Sequence, residues 1–153
     1  AINDTRSTFS GFTYDFVNKK TFDDSPEDRE KFYHKLMVEE GGFRFWLNNY
    51  EDLLFDDKAN DEAYNFWRKQ VLSRVKDPEK QKILAPEKKP HPWGTKRPSL
   101  EQCFYEVVDK DHVEIIDVNE NPIEKVEAEG LVTPKGLKEI DVLILATGFD
   151  SVT

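Results

Sequence analysis

The stretch "EIDVLILATGFDSVT", Glu139 to Thr153, runs from charge into an unbroken apolar block, Val142-Leu143-Ile144-Leu145-Ala146, and on to Thr147-Gly148. A continuous apolar run, rather than an alternating one, suits a strand covered on both faces, as in a parallel sheet. Thr147-Gly148 then falls at the carboxyl end of that strand. Open α/β sheets place their ligands there, and a glycine lets a cofactor approach the backbone closely. Two readings of Ala146-Thr147-Gly148 stand at this point: a cofactor site, or a turn leaving a core strand. Asp150, just beyond, reads as a solvated carboxylate.

With 153 residues the chain is long enough for one domain with a real core. It is 37% hydrophobic and 35% charged with a net charge of -9, and no basic stripe interleaves with aromatics, which argues against nucleic acid as a partner. One segment runs against that balance. From Lys76 to Arg97 there are seven positive and three negative residues, +4 locally against -13 for the remainder. Such a run is either a solvated face or a place for an anion. Cys103 is the only cysteine, so an internal disulfide and a cysteine-built metal site are excluded. His34, His91 and His112 show no metal-ligand spacing. The lack of a signal peptide and of an apolar run of membrane-spanning length predicts a cytoplasmic protein without membrane contact.

Working back toward the amino terminus, Pro122 to Asp141 contains two reversals, at Glu129-Gly130 and at Pro134-Lys135-Gly136, and reads as an antiparallel meander. "HVEIIDV" before it reads as a short strand, and a helix is predicted from Ser99 with Phe104, Val107 and Val108 on its apolar side. Pro86 to Pro98 is a stiff loop with four prolines around "HPWGTKR". Upstream lies a helical layer. Ser25-Pro26-Glu27-Asp28 is a helix start, followed by the stripe Phe32, Tyr33, Leu36 and Met37 and a stop at Gly41-Gly42. A second helix from about Asp57 carries Ala59, Ala63, Phe66, Trp67, Val71 and Val75 on one side and ends before Asp77-Pro78. Phe43, Phe45 and Trp46 read as a packing cluster, and residues 1–24 as a packed connecting segment.

Taken together, a helix, a strand, a small meander and a buried strand ending in ATG read as the closing part of a dinucleotide-binding domain. Its opening part is missing: the glycines stand at 11, 41, 42, 94, 130, 136 and 148, so no G-x-G-x-x-G occurs. Three stretches in order, "EEGGFRFWLNNYEDLLFDDKANDEAYNFWRKQV", "GTKRP" and "VEIIDVNENPIEKVEAEGL" continuing to "DVLILATGFDSVT", resemble the middle-to-late region of Baeyer-Villiger monooxygenases. The resemblance covers nearly the whole chain and is weakest over residues 1–24. ATG alone is shared with other two-dinucleotide flavoproteins, while ATGFD preceded by GTKRP and the helical segment is much narrower.

The resemblance implies an α/β fold: a fragment of a two-dinucleotide-binding-domain flavoprotein. Residues 1–88 would be the connecting segment and helical insertion. Residues 89–153 would be the late part of a Rossmann-like NADP domain, with the antiparallel meander and a strand returning toward the FAD domain. The chain is expected to stop at the crossover between the two domains. The implied enzyme uses FAD and NADPH to insert one oxygen of O2 beside a ketone carbonyl, giving an ester or lactone. In that family Lys96 would meet the adenosine 2'-phosphate, where a flexible point charge favours NADPH over NADH. Arg97 would reach the flavin and nicotinamide as the catalytic cation, its planar fork holding a peroxide oxygen as an anion. Ala146, Thr147 and Gly148 would line the cofactor floor, and no metal is implied. Both glycine fingerprints and the F-x-G-x-x-x-H signature are absent, so the 153-residue chain by itself is expected to be inactive and to bind neither cofactor tightly. Its terminal strand is expected to pair with another chain or with the missing part of the enzyme. The alternatives are a flavin-containing monooxygenase acting on nitrogen or sulfur, and a non-catalytic interaction module derived from the same fold.

Overall fold

Ser25 opens the first helix as its sequence grammar requires. In the computed structural model, which describes residues 5–8 and 11–148, its hydroxyl accepts the Asp28 amide at 3.2 Å, and Pro26 occupies the first turn of α1, Pro26–His34. Glu27 and Asp28 face the positive end of the helix dipole, and Lys31 and His34 the negative end. The chain then widens into one π-helical turn, Lys35–Glu39, before α2, Gly42–Leu47. Asp56 caps the long helix α3, Asp57–Arg74, through the Ala59 amide. Asp77 caps α4, Pro78–Leu84, through the amides of Glu79 and Lys80.

Contacts divide the chain into two units, residues 1–113 and 114–153. The first is built on aromatic packing. Tyr33, Leu36, Phe45, Tyr50, Leu53, Phe66 and Trp93 are buried together, with Phe32, Trp46 and Trp67 packed against them. The Tyr33 and Phe45 rings meet edge to face at 5.2 Å, a geometry that adds to the area they bury. The predicted stripe of α3 points inward: Ala59, Ala63, Phe66, Val71 and Val75 are all buried. A second cluster of Val71, Val75 and Ala85 ties α4 to the end of α3. Ahead of α1, Val17 and Thr21 tie into this unit. Val17 bridges to Tyr50, and the buried Thr21 gives both its amide and its hydroxyl to the Asp52 carboxylate.

Among the described residues, burial leaves one polar side-chain atom of this core without a hydrogen bond. Tyr33 is 2% exposed, and its hydroxyl finds no partner there, although the Thr21 side chain bears on it. Burial pushes the phenol well above its ordinary pKa. A buried hydroxyl without a partner carries its desolvation cost in full. Tyr33→Phe is therefore expected to leave stability unchanged or raise it by about 1 kcal/mol, read as the urea midpoint of unfolding. A loss exceeding about 2 kcal/mol would mean that the hydroxyl has a partner.

The second unit is a three-stranded antiparallel sheet in the order β1-β2-β3: β1 Lys125–Glu127, β2 Gly130–Thr133 and β3 Gly136–Glu139. Its register pairs Val126 with Leu131 and Val132 with Leu137. The Lys138 ammonium meets the Glu114 carboxylate at 2.7 Å. The second reversal is closed by Thr133, whose hydroxyl donates to the Gly136 carbonyl and accepts the Lys135 amide, each at 3.2 Å.

Three local expectations give way. The helix expected from Ser99 is confined to α5, Phe104–Val108, and its cap position holds Cys103, which makes no side-chain cap bond. Neither "HVEIIDV" nor Val142 to Ala146 forms a strand. The terminal run is open to solvent, with Val142 at 74%, Ile144 at 80% and Leu145 at 76% exposure. A strand is completed by its neighbour's hydrogen bonds, and neither segment finds a ladder partner among the described residues.

Candidate cofactor-facing loop

The prolines of residues 86–98 stiffen the loop, but the helical unit fixes its place. Trp93 is buried against Phe45, ring centroids 4.8 Å apart and edge to face. Its amide donates to the Asn60 side-chain oxygen at 2.8 Å, and its carbonyl accepts the Asn60 amide nitrogen at 2.9 Å. Gly94 follows with its carbonyl accepting the Trp46 indole N–H at 2.9 Å. This is a position for glycine only. Its φ is +84°, and a Cβ there would come within 3.1 Å of the Trp46 ring and 3.3 Å of Leu54. Thr95 closes the turn, its hydroxyl donating to the Pro92 carbonyl at 2.7 Å.

On this base Lys96 and Arg97 both stand exposed. Neither makes an ion pair among the described residues. The Arg97 guanidinium lies 4.9 Å from the centre of the Phe43 ring, so α2 supplies an aromatic platform for a planar cation. Phe43 thereby gains a neighbour beyond the aromatic cluster expected of it.

Downstream the chain is tied down again. Arg74, at the end of α3, holds Glu101 and Glu106 at 2.6 Å each and the Gln102 carbonyl at 2.9 Å, with its guanidinium 5.0 Å from the centre of the Tyr105 ring. The Arg74 hydrogen bond, first among the causes, pulls the Glu106 carboxyl down to a pKa of about 2. Asp109 accepts the amides of Lys76 and Asp77 at 3.0 Å, and those two bonds hold its pKa below the ordinary value. Lys96 and Arg97 thus sit on a short bridge between two anchored points.

The basic stretch around them separates by function of its charges. Lys82 pairs with Glu79 at 2.5 Å and Lys89 with Asp61 at 2.6 Å. Lys80 donates to the Lys110 carbonyl at 2.9 Å. Ala146, Thr147 and Gly148 belong to the second unit and are exposed, whereas Lys96 and Arg97 belong to the first. Asp150 lies outside the described residues. Among the described residues no cluster of metal ligands occurs, and no helix is long and apolar enough to cross a membrane.

The sequence reading names the cation pair and not the residues that anchor its loop. Asn60, Trp46 and Arg74 have partners that are backbone groups or acids 27 to 48 residues away. Only the spacing of Asn60, Tyr64 and Arg68 along one helix face offered a signal.

No protein-family model matches the sequence. The chain is nevertheless homologous, over nearly its whole length, to Baeyer-Villiger monooxygenases, which are FAD-binding oxygenases. It spans about a quarter of the length of the relatives it matches. Cyclopentanone 1,2-monooxygenase of Comamonas sp. (strain NCIMB 9872) is 49% identical over 145 residues, covering 95% of this chain and 26% of that enzyme. The crystal structure of OTEMO in complex with FAD and NADP superposes with a TM-score of 0.92 at 35% identity, covering 99% of this chain and 28% of that one. An open crystal structure of cyclohexanone monooxygenase gives 0.82 at 36% identity, covering 93% and 27%.

Proposed function

We propose that this chain is part of an FAD- and NADPH-dependent Baeyer-Villiger monooxygenase that inserts one oxygen of O2 next to a ketone carbonyl, giving an ester or lactone. Residues 1–88 serve as its connecting segment and helical insertion, and residues 89–153 as the late part of its NADP-binding domain. The observation that carries this reading is the loop 93–97: a rigidly anchored turn in a chain homologous to FAD- and NADP-bound OTEMO, presenting two adjacent cations that no acid among the described residues neutralises.

These residues fit the cofactors implied. An exposed lysine suits a phosphate dianion, and an arginine beside an aromatic ring suits an anion that needs directional donors. At Gly148 an added Cβ would meet nothing within 4 Å among the described residues, so the backbone there is open to close approach. NADPH supplies the hydride and FAD the oxygen-activating chemistry. Lys96 adds a point charge that rewards a 2'-phosphate. Arg97 would offer a positive, planar donor to a developing anion, and Phe43 would limit the orientations it must give up on engaging one. The exposed run 142–145 pairs with a strand elsewhere in the enzyme or in another chain, covering its apolar surface. The enzyme works in the cytoplasm.

Lys96→Ala tests the reading. In the flavoenzyme it is expected to weaken NADPH by roughly ten- to a hundredfold, the worth of one charge-assisted contact, with NADH little changed. Stopped-flow reduction with the two nicotinamides reads the difference. Equal losses toward both would contradict the assignment.

A further inference from the structure

Asn60, Tyr64 and Arg68 stand at i, i+4 and i+8 on one face of α3. Each meets the backbone of the segment that returns along the helix. The Arg68 Nε–H is shared between the carbonyls of Ala85, at 3.0 Å, and Pro86, at 3.2 Å. The Tyr64 hydroxyl donates to the Pro86 carbonyl at 2.7 Å. Asn60 takes both backbone groups of Trp93. The rungs therefore read the segment antiparallel to the helix, from residue 85 at Arg68 to residue 93 at Asn60.

Asn60 is the rung nearest the cations and the most fully used. It is 3% exposed. Its amide nitrogen also donates to the Leu53 carbonyl, and its oxygen also accepts the Lys89 ammonium, each at 3.0 Å. An amide offers a donor and an acceptor together, whereas a carboxylate offers acceptors alone. The four bonds tie the helix, the turn before it and the loop to one side chain.

The geometry points to Asn60 as the positioning residue for the Lys96-Arg97 pair: by holding both backbone groups of Trp93 it sets where the loop leaves α3, three residues before Lys96. That these cations serve a cofactor rests on the function proposed above; the positioning does not.

Trypsin separates the two. It cleaves after Lys96, while Pro98 protects the bond after Arg97, so a nick between Lys96 and Arg97 reports the loop. A nick after Lys69, mid-way along α3, reports opening of the helix itself. In Asn60→Asp the donor to Trp93 is lost and a carboxylate faces the Trp93 carbonyl. The rate of nicking after Lys96, relative to that after Lys69, is expected to rise roughly tenfold or more. A proportionate rise at both sites is the mark of a merely structural role and overturns the inference, as does no rise at all.

Hydrogen exchange of the unsubstituted chain gives a second measurement that survives a variant failing to fold. The Trp93 amide is expected to exchange at least roughly tenfold more slowly than those of Lys96 and Arg97; comparable rates overturn the assignment. In the flavoenzyme, Asn60→Asp is expected to raise KM for NADPH and leave KM for NADH unchanged. A selective Lys96 nick without that change supports the positioning and removes the cofactor role of Lys96.

Discussion

Replacing Arg97 with alanine in the flavoenzyme is expected to cut ester or lactone formation by roughly a hundred- to a thousandfold, the usual cost of removing one preorganised donor from a developing negative charge. Flavin reduction by NADPH should stay measurable, because the role proposed for Arg97 would lie in oxygen insertion and not in hydride delivery. The role proposed for Arg97 rests on its planar, permanently charged guanidinium. The guanidinium lies 4.9 Å from the centre of the Phe43 ring, an aromatic neighbour for a planar cation. Lysine lacks the planar fork, and Arg97→Lys should recover only a small part of the activity. Stopped-flow reduction and product analysis with a cyclic ketone are the two readouts. If alanine slows both half-reactions equally, Arg97 belongs to nicotinamide binding and not to oxygen transfer.

In the second unit the largest effect is expected from Gly130→Ala. Gly130 opens β2, with Glu139 opposite it in the register of β3, and it has a φ of +157°. A Cβ built there would lie 2.0 Å from the Lys138 carbonyl oxygen, a backbone atom that cannot swing aside. Relief requires β2 and β3 to separate, and among the described residues the unit has three short strands to lose. The cost should exceed about 4 kcal/mol, the range reserved for backbone clashes with no local escape. In NMR spectra, the amides of residues 125–139 should collapse to disordered positions while those of residues 26–93 stay dispersed. Retention of the cross-strand signals between Val126 and Leu131 would show that the strands can accommodate the methyl group.

Helix starts carried through from sequence to structure wherever a cap and a long apolar stripe coincided. Ser25-Pro26-Glu27 and the face from Ala59 to Val75 are of that kind. Asp77-Pro78-Glu79 has the same grammar and opens α4. It was read as an ending, because only a seven-residue helix follows and no stripe of that length stands out. The meander was legible because turn residues are local. The apolar run Val142 to Leu145 was equally plain as a pattern, yet a strand belongs to a pair and the described residues provide no partner. At the site, the family resemblance of "GTKRP" singled out Lys96 and Arg97, which charge pattern alone leaves as a solvated face or an anion site. Nothing in residue type pointed to Asn60 or Trp46, since what they bind is main chain, and every residue has one.

That α3 grips carbonyls also shapes how such a chain can change over generations. The rungs at Arg68, Tyr64 and Asn60 recognise peptide groups from Ala85 to Trp93, and a peptide group is the same whatever side chain it carries. Glu87 and Lys88, both exposed, lie along that stretch without being needed for its path. Mutation can alter charge and bulk there and leave the trajectory of the chain intact. The surface beside the two cations is thus free to drift toward new neighbours while their own address is inherited unchanged.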